Sequence, residues 1–346
     1  MTKLVTIILF LTLIVSCKKN EDKLVGTFLT GDGVFVIDEG NFMGGNGSLS
    51  FYSYDSSKVY NDLFSEVNGR PLGDVPNSME IFGDKAYIVV NNSGKIEIIE
   101  KNTLESVSTI TGLISPRNIG FVNSSKAYVT SMYSDSLIII NLNDNSISGY
   151  IDLRRSSESI VIAGDKAFVA NWVGGNEVIV IDNASNEVID SIEVGIEPES
   201  MVLDRNDMLW VLCNGGWMRE NFAELDGINT STYTIEKNLI FPTKQASPSC
   251  LRIDGTGEML YYLESGVRKL SIASSELPSE PIIIPESGHY FYKLGINPVS
   301  NDIFVTDAVD YQQNGFLIYY KEDGTLVSSQ LAEIIPGSMC FKLTNK

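Results

Sequence analysis

The chain contains a single histidine, His289, and that scarcity excludes chemistry before any pattern is sought. One imidazole cannot build a multi-histidine metal site. A Ser-His-Asp unit would need a nucleophile with its own local signature, such as G-x-S-x-G, which is absent. Cysteine is scarce as well. Apart from Cys17, three remain, Cys213, Cys250 and Cys340, an odd number that cannot pair completely and that has no C-x-x-C spacing for a metal. They sit in apolar strand-like runs and read as buried small hydrophobes. Positive charge is in deficit: 25 Lys and Arg stand against 44 Asp and Glu, a formal charge of -19. Phosphate backbones would be repelled over most of the surface, so no nucleic-acid partner is expected. No calcium loop of the D-x-[DN]-x-[DN]-G type, no phosphate-cradling glycine loop and no helix-period stretch of useful length occurs. The expectation is a protein without catalytic residues, metal or cofactor.

The first residues set an address. Met1, Thr2 and Lys3 form a short positive region, Leu4 to Val15 an apolar run, and Leu-Ile-Val-Ser-Cys ends it at residues 13 to 17. The run is too short to span a bilayer as a permanent helix. It resembles a bacterial lipoprotein signal peptide in which Cys17 becomes the lipidated first residue; an ordinary secretory signal with a chance cysteine is the alternative. Residues 18–25 are polar and read as a flexible tether. The acidic pair Glu21 and Asp22 resembles the export tag of Bacteroidetes surface lipoproteins, which implies an outer-membrane, lipid-anchored protein facing the cell exterior rather than the inner leaflet.

The length admits two ordinary domains or one large all-β domain. Internal repetition decides between them. GDGVFVID at 31 to 38, GDKAYIVV at 83, SSKAYVTS at 124, GDKAFVAN at 164, NDMLWVLC at 206, GEMLYYLE at 257 and NDIFVTD at 301 each join a polar turn to a β-rich run. One place in each is always aromatic: Phe35, Tyr87, Tyr128, Phe168, Trp210, Tyr261 and Phe304. Upstream of six of them lies a short apolar alternation, as in PNSMEIFG at 76 and PESMVLDR at 198. A seventh, PGSMCFKL at 336, stands at the C-terminus with no aromatic strand after it, and the Phe35 strand has none before it. A third run follows each aromatic strand, and a fourth, outer run usually follows a polar turn after it. Four strands in about 40 to 50 residues match a β-propeller blade.

The fold expected is therefore all-β, a single seven-bladed β-propeller over residues 26–346 with four-stranded blades. The C-terminal strand joins three N-terminal strands, within residues 33 to 64, in one composite blade. Closure removes the free sheet edges that would otherwise promote aggregation. An eight-bladed wheel with a degenerate blade in residues 214 to 243 is the alternative; that stretch is long enough for a bulky loop and two strands only.

In such a wheel the connection from second to third strand and the link between blades open on the same face. The segments there are rich, and they supply the candidate ligand-binding set: Asn41, Phe42, Asn92, Arg117, Tyr133, Arg154, Trp172, Glu199, Trp217, Arg219, His289, Tyr290, Tyr311 and Gln312. Opposite turns such as Gly83-Asp84 and Gly164-Asp165 carry plain turn chemistry. Aromatics on tips bracketed by Gly174-Gly175 and Gly215-Gly216 suit a ligand with a large apolar body and a polar edge. Equally, bulky tips could pack over the strand ends and plug the channel. Arg117, Arg154 and Arg155 could bind a ligand or neutralise Glu158, Glu197 and Glu199. Asp307 with Asp310, or Asp38 with Glu39, would be the carboxylate pairs of a glycosidase, although carboxylates abound at strand ends in so acidic a chain.

The pattern P-x-S-[apolar]-x-[apolar], then G-D-K-[apolar]-[aromatic]-V, then I-D-x-x-[ST], as in Pro76 to Val89 and Gly164 to Ser185, resembles the YncE-like seven-bladed propellers. With "GVFVIDEGNFMGGNGSLSFY" at 33 to 52 and the lipoprotein signal, it looks like the Bacteroidetes surface lipoproteins of the BtuG type. That resemblance spans about residues 26 to 343. It implies a monomeric propeller that captures cobalamin or another cobamide and hands it to a TonB-dependent outer-membrane transporter. A non-catalytic protein- or glycan-interaction propeller is the other reading.

Overall fold

The computed structural model describes residues 29–344. The signal segment, Cys17 and the tether lie outside the described residues. Seven antiparallel sheets are arranged as blades, each packed on the next. From blade 2 to blade 7 the innermost strands are Pro76–Phe82, Pro116–Asn123, Ile160–Ala163, Pro198–Leu203, Ser249–Ile253 and Lys293–Ile296.

Blade 1 is the composite one. Its innermost strand, Pro336–Lys342, pairs with Gly33–Asp38, followed outward by Ser48–Ser53 and Lys58–Tyr60. Phe35 lies opposite Phe51 on one side and Cys340 on the other. Lys342, itself buried, adds a staple: its ammonium donates to the carbonyls of Leu29 and Gly31, the second at 2.9 Å.

The burial pattern explains the repeat. Second strands such as Lys85–Val90 are covered on both faces by neighbouring blades, hence their nearly unbroken apolar runs. Outer strands such as Ser146–Asp152 alternate covered or half-covered positions with exposed ones, one face toward water. All seven repeat aromatics are buried between blades, and each contributes about 1.5–3 kcal/mol through its burial. Phe304 stacks on Tyr319 with centroids 4.5 Å apart, and Trp210 donates its indole N–H to Asp204 at 3.0 Å. The three cysteines are free and buried, and burial pushes their thiols up.

Two features depart from the repeat. Blade 6 keeps only three strands, ending with Val267–Ser271; Ile283 bridges Val267 where a fourth strand would begin. A six-residue helix, Leu63–Asn68, links blades 1 and 2 and buries Leu63 and Phe64. Residues 214 to 243 hold a loop and two strands, Glu224–Asn229 and Thr234–Ile240, which excludes an eighth blade.

Candidate functional site

Main-chain hydrogen bonds define two faces. On one, second-to-third strand connections interlock with the links between blades: Met132 N–H donates to Ser115 at 3.0 Å, Glu197 to Gly175 at 2.7 Å, and Asn214 to Glu197 at 3.1 Å. On the other, the short turns bond one another, Lys101 to Asp84 at 3.0 Å and Asn183 to Asp165 at 2.9 Å. Phe42, Tyr133, Trp172, Trp217 and Tyr311 all stand in connections of the first kind.

That loop-rich face is where large apolar side chains meet water. Trp217 is 83% exposed, Tyr133 and Tyr290 are 76% and Phe42 is 71%. Met43, Ile114, Val173, Met218, Phe222, Val309 and Tyr311 are exposed there too, whereas among the described residues the opposite turns expose Val299. Gly215 and Gly216 adopt φ values of 85° and 100°, which let the Trp217 tip project and which other residues would strain to reach.

Trp172 does not project as expected. The turn closes through Gly174 (φ 63°), Val173 takes the outer place, and the indole is half-buried with its Nε1 lacking a hydrogen-bond partner. Phe42, Tyr133, Trp217 and Tyr290 stand in four different connections, and among the described residues no ring contact joins one to another.

Around the channel entrance the candidates are drawn into polar contacts. Arg117 grips Glu158 with two bonds, Nε to Oε2 at 2.7 Å and Nη2 to Oε1 at 2.9 Å. Of the two roles weighed for it, neutralising a neighbour is therefore the one it fills here. Glu199 accepts the main-chain N–H of Cys250 at 2.9 Å. Tyr292, which the sequence did not single out, donates its hydroxyl to Glu39 at 3.0 Å. Burial raises the Glu39 carboxyl, an effect opposed by Lys293, by the Tyr292 hydrogen bond and by Arg117. Asn92 donates to Asp74 at 2.5 Å, Arg219 reaches the Gln245 carbonyl, and Arg155 pairs with Glu177. Arg154 and Gln312 are exposed.

At the seam between blades 7 and 1, three candidates come together. Asn41 donates its side-chain amide to the Tyr311 carbonyl at 2.8 Å, and the Tyr311 ring meets Tyr292 edge-on at 5.6 Å. Beside them His289 bonds through Nδ1 to Asp307. The carboxylate pairs weighed for glycosidase chemistry go to separate partners. Asp310 accepts the N–H groups of Gln312 and Gln313, both at 3.0 Å, which lower its pKa, while Asp307 holds His289. Asp38 is buried against Ser50, while Glu39 takes Tyr292.

A cavity of about 530 Å³ opens between blades 5 and 6, where blade 6 lacks its fourth strand. Leu239, Phe241, Tyr262, Arg268 and Leu277 are among the residues that line it. No sequence signal pointed to it, because it arises from a strand that is missing.

The family described as "Domain of unknown function (DUF5074)" matches residues 32–333, and the chain belongs to it. No curated protein matches the sequence. Several solved structures share the fold. A quinonprotein alcohol dehydrogenase-like protein from Bacteroides thetaiotaomicron is 17% identical, with a TM-score of 0.69 over 90% of this chain and 78% of its own. The periplasmic gluconolactonase PpgL of Pseudomonas aeruginosa is 12% identical, with a TM-score of 0.67 over 90% and 99%. A functionally unknown protein from Desulfotomaculum acetoxidans is 13% identical, with a TM-score of 0.67 over the same shares. At these identities the likeness is one of fold.

Proposed function

We propose that this member of the DUF5074 family is a non-catalytic capture protein. Its loop-rich face takes up a bulky, scarce nutrient, a cobalamin or related cobamide, and passes it to a TonB-dependent transporter in the outer membrane, to which lipid on Cys17 tethers it. The observation that carries this reading is the one-sided display of Phe42, Tyr133, Trp217, Tyr290 and Tyr311. Leaving such rings in water has a cost that burial against a ligand removes. A corrin is a broad, partly apolar disc edged with amides. Exposed rings and the amides of Asn41, Asn92 and Gln312 offer both kinds of contact. The gluconolactonase likeness is one of scaffold, and no catalytic role follows from it.

Cyanocobalamin titrated against the purified protein should quench tryptophan fluorescence with one-to-one stoichiometry, and Trp172→Ala with Trp217→Ala should weaken binding. Absence of binding defeats the reading. The separation of the exposed rings favours a second occupant, an extended glycan or protein segment. That alternative predicts retardation on polysaccharide affinity gels and indifference to cobalamin.

A further inference from the structure

We infer that His289 is an axial ligand, through which the loop-rich face coordinates the metal of a planar metal-macrocycle, here a cobalt corrinoid; the inference rests on the capture reading above. Nδ1 of His289 is hydrogen-bonded to Asp307, whose side chain is only 2% exposed and whose other oxygen accepts the Val309 N–H at 2.8 Å. In the Nδ1–H tautomer, the one that can donate to a carboxylate, Nε2 is the ring nitrogen turned away from Asp307 and holds the lone pair that a metal would take. The histidine side chain is 40% exposed while Asp307 is covered, so the ring is within reach of a ligand and its carboxylate partner is not. The His289 N–H bonded to Glu286 at 3.0 Å and the edge-on contact with Phe316 at 6.2 Å hold the ring in place.

A carboxylate behind a histidine is the arrangement that orients metal-binding imidazoles and raises their basicity. Yet among the described residues no three His, Cys, Asp or Glu side chains gather to hold a free ion. A lone imidazole can complete the shell of a metal only if other donors already hold it. A macrocycle with one exchangeable axial position meets that condition, and the exposed rings of Tyr290 and Tyr311 stand on the same face to meet its apolar body. The step is a ligand exchange: Nε2 donates its lone pair to cobalt and the bound water leaves with its own pair. Cobalt stays trivalent, no electron is transferred, and the Nδ1 proton remains on its bond to Asp307.

The test uses two probes, aquacobalamin, whose axial water exchanges, and cyanocobalamin, whose cyanide keeps that position. With the full-length protein, aquacobalamin should shift its corrin absorption bands on binding and cyanocobalamin should not. His289→Ala should abolish the shift and lose far more affinity for aquacobalamin than for cyanocobalamin. Asp307→Asn should lower aquacobalamin affinity by about 10- to 100-fold, and Tyr150→Ala, on an outer strand, should change neither. Circular dichroism checks that each variant is folded. Aquacobalamin binding without a spectral shift, or a shift that survives His289→Ala, overturns the axial role and leaves capture standing. Binding of neither corrinoid removes both.

Discussion

The side-chain amide of Asn41 in the first blade donates to the main-chain carbonyl of Tyr311 in the last, at 2.8 Å and 270 residues apart. It latches the loop-rich side of the seam that Pro336–Lys342 closes by strand pairing. The two contributions differ in kind. Removing residues 336–346 strips the inner partner from Gly33–Asp38 and leaves an open edge. The truncated protein should elute from gel filtration as aggregate, whereas Asn41→Ala should stay monomeric and lose about 1 kcal/mol.

Two tryptophans separate core from display. Trp210 is fully buried and bonded to Asp204, and Trp217 is 83% exposed. In denaturant unfolding, Trp210→Ala should cost about 3–5 kcal/mol. Trp217→Ala should stay within about 0.5 kcal/mol.

Arg117 is a structural cation here. Both members of its pair with Glu158 are mostly covered, at 16% and 13% side-chain exposure. Arg117→Ala should lower stability by about 2–3 kcal/mol, less than the roughly 3–5 kcal/mol of a fully buried pair. Arg117→Lys should recover only part, because one ammonium cannot match both oxygens.

Alkaline conditions should weaken the fold through Asp38. Burial lifts its carboxyl from 3.8 to about 8, against the Ser50 hydrogen bond and with help from the nearby charge of Glu333 and Asp62. The folded state therefore holds a proton that the unfolded chain has released. Between those two values stability falls as pH rises, and the loss is complete above about pH 8. Asp38→Asn keeps an acceptor for Ser50 and removes the titration. Its unfolding midpoint should decline less between pH 6 and 9 than that of the wild type; an equal decline would point to other groups.

Much of the fold was legible because each blade writes the same physics into the chain. Phe35, Tyr87 and their counterparts stand at one fixed place on second strands that neighbours cover from both sides, and a buried ring there leaves a visible period. The composite blade was legible from what each end lacked. The three-stranded blade 6 was not, since the residues after Ser271 retain apolar side chains such as Ile282 and Ile284 without forming the strand. The Leu63–Asn68 helix is too short to show a period. At the site, topology placed the tips on one face, but side-chain partners lie across blades. The Arg117 grip on Glu158, Tyr292 on Glu39 and His289 on Asp307 depend on distances that sequence spacing does not encode. Trp172 misled for a local reason: the glycine pair that frees the tip also folds it over.

Hydrogen exchange with and without cyanocobalamin tests most directly whether the loop-rich face is the capturing one. Protection should appear in the connections at residues 39–47, 132–135, 214–223 and 308–313, with the opposite turns at 83–84, 124–125 and 164–165 unchanged. Protection at those opposite turns, or at neither set, would contradict it.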